Sequence, residues 1–115
     1  MDERIGKVEE TMGMIGGKWC PAIMFFLILD GTHRFSELLR GITGISQRML
    51  TKQLRDLERA GLVHRTFHEA VPPRVEYTAT ALGLSLQPIY ESVCNWSSAH
   101  RDEIETSQAS YDRRA

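Results

Sequence analysis

Apolar residues recur along this chain at helical spacing, except in one stretch where they alternate. Val8, Met12 and Ile15 step by four and three, which predicts a short helix over residues 7–15 that Gly16-Gly17 stops. A second helix follows, with Pro21 tolerated in its first turn. Residues 22–29 are apolar nearly all round, the pattern of a central core helix, and Asp30-Gly31 ends it. Ser36 suits the N-cap of a short third helix carrying Leu38, Leu39 and Ile42. After the tight connection Thr43-Gly44-Ile45, Ser46 caps a fourth helix that runs to about Ala60 and stops at Gly61. Met49, Leu50, Leu54 and Leu57 form its apolar side; Gln47, Arg48, Thr51, Lys52 and Arg55 form the other.

The period then changes. Residues 62–68 read as a strand with Val63, Arg65 and Phe67 on one face, and residues 74–79 as a second with Val75, Tyr77 and Ala79 together. Val71-Pro72-Pro73 marks the loop between them. Thr80 caps a last helical stretch in which Leu82, Leu86, Ile89, Val93 and Trp96 step by four and three, and Pro88 should kink it or split it in two. The polar tail 106–115 shows no period and is expected to be frayed or disordered, which leaves one domain over residues 6–105.

Short helix, Gly-containing turn and helix make a helix-turn-helix, and the hairpin after it adds a wing. The fold class is therefore mainly α with a small β-hairpin. A helix fits the major groove, and its first two turns reach base edges. Here those turns carry Ser46, Gln47, Arg48, Thr51 and Lys52, all hydrogen-bonding types, with Arg55 a turn further on. Arg65 and Arg74 stand on the wing, where they could meet phosphates. The apolar seam exceeds what a core of 115 residues needs. With the stripe Val8, Met12 and Ile15, the positions Leu86, Ile89, Val93 and Trp96 predict a homodimer.

Charge sharpens this picture only through its distribution. The net charge is −1, yet residues 34–74 hold eight basic residues against four acidic ones, while the rest holds six against eleven. A basic middle on an acidic body suits a DNA-facing surface. No secretory leader and no membrane-length apolar run is visible, which points to the cytoplasm and to no membrane partner.

Other chemistry is sparse. Cys20 and Cys94 have neither disulfide-framework nor zinc spacing. Cys20 opens the core helix, where a helix N-terminus can lower a thiol pKa, so it is the candidate redox sensor; the competing reading is a buried, inert thiol. Cys94 flanks the seam, where it could cross-link two copies, although a packed helix cysteine is the simpler reading. His64 and His68 share a strand face but would need Glu69 or Glu76 to hold a metal; no metal site and no cofactor is expected. Trp19, Phe25, Phe26 and Trp96 could line a pocket for a small-molecule effector, although core packing accounts for them more simply. Asp56 and Glu58 do not form a converging acid pair, and no enzyme is predicted. A winged helix that docks only on proteins is the competing function; it would show exposed apolar residues on the fourth helix.

Several ordered segments carry a resemblance. They are Gly16-Gly17-Lys18-Trp19, Arg34-Phe35-Ser36-Glu37-Leu38, Gly44-Ile45-Ser46, Met49-Leu50-Thr51, Leu54-Arg55-Asp56-Leu57-Glu58, Gly61-Leu62-Val63 and Pro72-Pro73-Arg74-Val75-Glu76-Tyr77. Thr80-x-x-Gly83-x-x-Leu86 and Trp96 complete the set. Over about residues 6–98 the chain resembles the HxlR-type winged helix-turn-helix family of small bacterial dimeric regulators, related in architecture to the MarR type. The resemblance implies dimerisation through the N- and C-terminal helices, and double-stranded DNA bound by the fourth helix and the wing. Many members begin with Cys-Pro-Val-Glu, whose cysteine senses oxidants or electrophiles. Here Gly6-Lys7-Val8-Glu9 stands in that place, so that sensing route is absent.

Overall fold

A computed structural model describes residues 2–114. Asp2 caps α1 (Glu3–Ile15), its Oδ1 accepting from the Arg4 amide at 2.8 Å, so the helix starts five residues before Val8 opens the apolar stripe. The chain then turns into α2 (Cys20–Asp30), whose Cys20, Ile23, Met24 and Leu27 are buried. A strand that the sequence pattern does not announce follows: β1 (His33–Arg34) is two residues long, too short to show any period. It leads directly into α3 (Phe35–Gly41). Arg34, not Ser36, is the N-cap, and the Glu37 carboxylate accepts from the Arg34 amide at 2.8 Å; Ser36 falls inside the first turn.

Gly44 makes the turn between α3 and α4 (Gln47–Arg59) with φ +84°, a conformation that L side chains rarely adopt. Strands β2 (Val63–His68) and β3 (Arg74–Ala79) form the hairpin, and β1 adds to its far side, giving the antiparallel order β1-β3-β2. The hairpin pairs Val63 with Ala79, Arg65 with Tyr77, Phe67 with Val75 and His68 with Arg74. Val63 and Tyr77 are buried, so this face closes the core.

Thr80 caps α5 (Ala81–Leu84), accepting from the Gly83 amide at 3.0 Å. The helix breaks at Ser85-Leu86, and α6 (Gln87–Arg114) begins with Pro88 in its first turn, where the missing N–H costs little. Proline therefore splits the seam in two. The tail expected to be frayed is instead helical through Arg114; Ala115 lies outside the described residues. Nothing between Glu105 and Arg114 breaks a helix, and Arg113 and Arg114 suit the negative end of its dipole. At 28 residues α6 spans about 42 Å. No single helix among the described residues is long and apolar enough to cross a membrane.

Two residues of the predicted dimer stripe belong to the core of the single chain. Ile15 and Leu86 are buried, because Ile15 is the last turn of α1 against α2 and Leu86 sits at the α5–α6 break facing inward. Val8, Met12, Ile89, Val93 and Trp96 are exposed. Tyr90, about 100° round the helix from Ile89, ties the two ends together. Its buried hydroxyl donates to the Ile15 carbonyl at 2.9 Å, and its ring meets Phe25 at 5.7 Å.

Gly83 is the tightest point of this packing, since a Cβ there would lie 2.2 Å from the Leu62 carbonyl oxygen and 3.1 Å from the Met24 methyl. Gly83→Ala should destabilise the fold by about 1–3 kcal/mol. A urea midpoint unchanged from wild type would show that α5 can lift away without cost.

Candidate nucleic-acid interface

The outward surface is organised by α4. Its Ser46 cap accepts from the Met49 amide at 3.1 Å, which satisfies a first-turn donor and sets where the helix begins. Leu50, Leu54 and Leu57 are fully or nearly fully buried and hold one side to the core. Each such leucine contributes about 1.5–3 kcal/mol of burial, so the helix cannot easily roll. The opposite side is then fixed outward. Gln47, Arg48, Thr51, Lys52 and Arg55 line a single concavity of about 640 Å³ with Asp56. None of the large hydrophobic residues exposed among the described residues lies on α4.

The donors on this surface are not equally free. Thr51 donates its hydroxyl to the Gln47 carbonyl at 2.8 Å and keeps only its acceptor capacity. Lys52 pairs with Asp56 at 3.0 Å, one turn along the helix. Both partners are well exposed, so the pair is weak and a phosphate can displace Asp56. Among the described residues, Gln47, Arg48 and Arg55 make no side-chain ion pair.

The wing does not present its two arginines together. Antiparallel register puts Arg65 on the face of Tyr77, with Phe67 and Val75, and Arg74 on the opposite face beside His68 and Glu76. Arg74 is at the tip end of β3 and lines a cleft of about 410 Å³ with Arg34, Phe35, Ser36 and the 70–73 loop. Arg34 is thus brought beside Arg74 although the sequence pattern left it outside the interface. A basic residue beside the cap of the helix that precedes the turn was the available signal.

The remaining candidates separate from this surface. Cys20 is buried, 4.0 Å from the Tyr90 hydroxyl. Burial raises its thiol pKa above the ordinary value, against a smaller opposing effect of the Tyr90 hydroxyl. Burial likewise pushes the Tyr90 phenol well above its ordinary range. Cys94 is exposed on α6 and not packed as expected, because the face of α6 that bears it meets no other element of the chain. His64 is exposed. His68 Nε2 is 3.4 Å from Glu76 Oε2, an ion-pair distance without hydrogen-bond geometry, and the atom is otherwise buried and unpartnered. No group of three or more His, Cys, Asp or Glu among the described residues is placed to hold a metal. The four aromatic residues do not converge. Trp19 lines a cleft of about 540 Å³ between the α1–α2 turn and α4, with Lys18 over its ring at 4.7 Å. Phe25 and Phe26 flank a shallow apolar patch on α2, and Trp96 is exposed against His100.

A helix-turn-helix followed by a wing, with a capped polar helix held outward, is the architecture of DNA-binding transcription regulators. The chain belongs to the HxlR-like helix-turn-helix family, whose description matches residues 14–105; it is a DNA-binding transcription regulator and not an enzyme. The uncharacterized HTH-type transcriptional regulator YybR of Bacillus subtilis is 46% identical over 99 residues, which is 86% of this chain and 78% of that protein. A second such regulator, from Methanothermobacter thermautotrophicus, is 43% identical over 106 residues, covering 92% of this chain and 80% of the relative. Among solved structures, the redox regulator HypR in its reduced form superposes with a TM-score of 0.79 at 44% identity, covering 87% of this chain and 98% of that one.

Cys20 should resist iodoacetamide in the folded protein and react only after denaturation, as read by peptide mass spectrometry. Rapid native labelling of Cys20 would show that the α2 N-terminus opens.

Proposed function

We propose that this regulator binds a two-fold operator as a homodimer, with α4 of each protomer in successive major grooves. The observation that carries DNA reading over protein docking is the outer face of α4: it presents polar and charged residues, none of the exposed large hydrophobic residues among the described ones lies on it, and Ser46 caps the end that would enter the groove. Gln47 and Arg48 are assigned to bases, since Gln can pair with adenine and Arg with guanine through two hydrogen bonds each. Lys52, Arg65 and Arg74 are assigned to phosphates, with Ser46, Thr51 and Arg55 supporting the same surface. Their opposite faces on the hairpin imply that Arg65 and Arg74 meet different phosphates, if the wing lies edge-on to the duplex.

Support for the dimer comes from what the single chain leaves uncovered. Val8 and Met12 on α1 and Ile89, Val93 and Trp96 on α6 are all about half exposed or more. The radius of gyration is 17.5 Å, whereas a self-contained domain of this length has about 13 Å. The excess comes from long helices with nothing packed on their outer sides, and a second copy would cover them. The crevice that such an assembly would form between the core and the dimer helices is the place assigned to an unidentified small-molecule effector. HypR is a redox regulator, but the buried thiol of Cys20 argues for a different signal here. A cytoplasmic location follows from access to DNA.

The DNA assignment is tested on an operator selected from a random pool. Arg48→Ala should lose roughly 1–3 kcal/mol on that operator and relax the preference at one base position. Arg74→Ala should weaken operator and random DNA alike and lower the salt slope by about one. Equal losses for both variants on both DNAs would remove Arg48 from base reading.

Light scattering tests the dimer. The wild type should run at about twice the 13.1 kDa chain mass, and Val93→Asp with Trp96→Asp should shift it toward the monomer. A stable wild-type monomer at micromolar concentration would refute the assembly.

A further inference from the structure

One acid stands among cations on the outward face of the wing. Glu76 lies on β3, the central strand, directly across from Arg34 on β1 and Thr66 on β2. Arg74 is two residues before it on the same face, and His68 is paired opposite Arg74. Both oxygens of the Glu76 carboxylate are engaged. Oε1 accepts from Arg74 Nε at 2.8 Å, and Oε2 faces His68 Nε2 at 3.4 Å. The Glu76 side chain is about one-quarter exposed, and the Arg74 guanidinium is the partner that engages its carboxylate most closely.

The bond to Arg74 has a particular form. It uses Nε, the nitrogen nearest the chain, and leaves both terminal amino groups of the guanidinium for another acceptor. Arg74 begins β3 at the wing tip and lines the cleft that it shares with Arg34. A long, flexible side chain loses freedom when it grips a phosphate, and one already anchored loses less. We propose that Glu76 is a positioning residue for DNA binding, holding the Arg74 guanidinium so that its free edge meets a backbone phosphate. The proposal rests on the reading of Arg74 as a phosphate contact. It runs against simple electrostatics, because a carboxylate near DNA is repulsive by charge alone. Anchoring and charge therefore predict opposite effects when Glu76 is shortened.

Two substitutions separate them. Glu76→Gln removes the charge and keeps an oxygen that can accept from Arg74 Nε; Glu76→Ala removes both. The probe is a random-sequence duplex of about 30 base pairs at low salt, since phosphate contacts do not depend on sequence. Glu76→Gln should bind it at least as tightly as wild type. Glu76→Ala should bind about three- to tenfold more weakly than Glu76→Gln, the scale of one lost charge-assisted anchor. In an Arg74→Ala background the two Glu76 variants should agree within about twofold. Glu76→Val, which suits a central strand, repeats the comparison if the alanine variant does not fold. If Arg74→Ala alone leaves affinity unchanged, the phosphate reading of Arg74 fails and the proposal falls with it. If Arg74→Ala weakens binding while Glu76→Ala and Glu76→Gln bind alike, Arg74 keeps its role and the positioning role of Glu76 is overturned. A gap between the Glu76 variants that persists without Arg74 overturns it as well, and assigns Glu76 to the folding of the wing.

Discussion

A helix that is apolar nearly all round has to be covered on most of its sides, and the arrangement of this chain follows from that requirement, with only the strip at Ala22 and Leu29 left open. α2 has almost no polar side, so the α1 end, β3, α5 and the start of α6 are all packed against it. Tyr90 covers one side of it, with its ring on Phe25 and its hydroxyl on the carbonyl that ends α1. That hydrogen bond satisfies a backbone acceptor at a helix terminus in a place where water is scarce. It also joins α6 to the α1–α2 corner, so the two helices that carry the uncovered apolar stripes are held in one fixed relation. The same burial explains why Cys20, at the start of α2, is chemically quiet.

The outward surface of α4 is built on the opposite principle. α4 is sharply two-sided: Leu50, Leu54 and Leu57 hold it down, while Gln47, Arg48, Thr51, Lys52 and Arg55 stand on the outward side. The rigid side needs specific shapes, whereas the outward side needs only polar groups of the right reach. Change on one side need not disturb the other, which is how a family of this fold can read different operators with one core. The wing is less independent. Its faces are set by strand register, so each wing side chain is coupled to partners on two neighbouring strands, and Glu76 is the clearest case.

Much of this was legible in the chain itself. Ser46, Thr80, Gly31 and Gly61 mark helix ends through local chemistry that needs no distant partner. The leucine face of α4 follows from a period of 3.6, and the hairpin from alternation around Val71-Pro72-Pro73. These are properties of neighbours in sequence. The helical tail has no apolar period to announce it, yet a stretch without Gly or Pro and with a basic end is enough to continue a helix already nucleated.

The sequence by itself determined the first four helices and the hairpin, which side of each is apolar, and which helix offers hydrogen-bonding groups. Tertiary structure alone decided what covers each apolar side. Ile15 and Val8 share one stripe on α1, yet the first is sealed inside the chain and the second is open, because only the last turn of α1 reaches α2. Likewise, a two-residue β1 exists only because β3 is there to receive it, and that pairing sets Arg34 across from Glu76. Arg65 and Arg74 part to opposite faces through a register that depends on how the 69–73 loop closes. Periodicity records the direction of a side chain relative to its own backbone; the identity of its neighbour is a property of two segments at once.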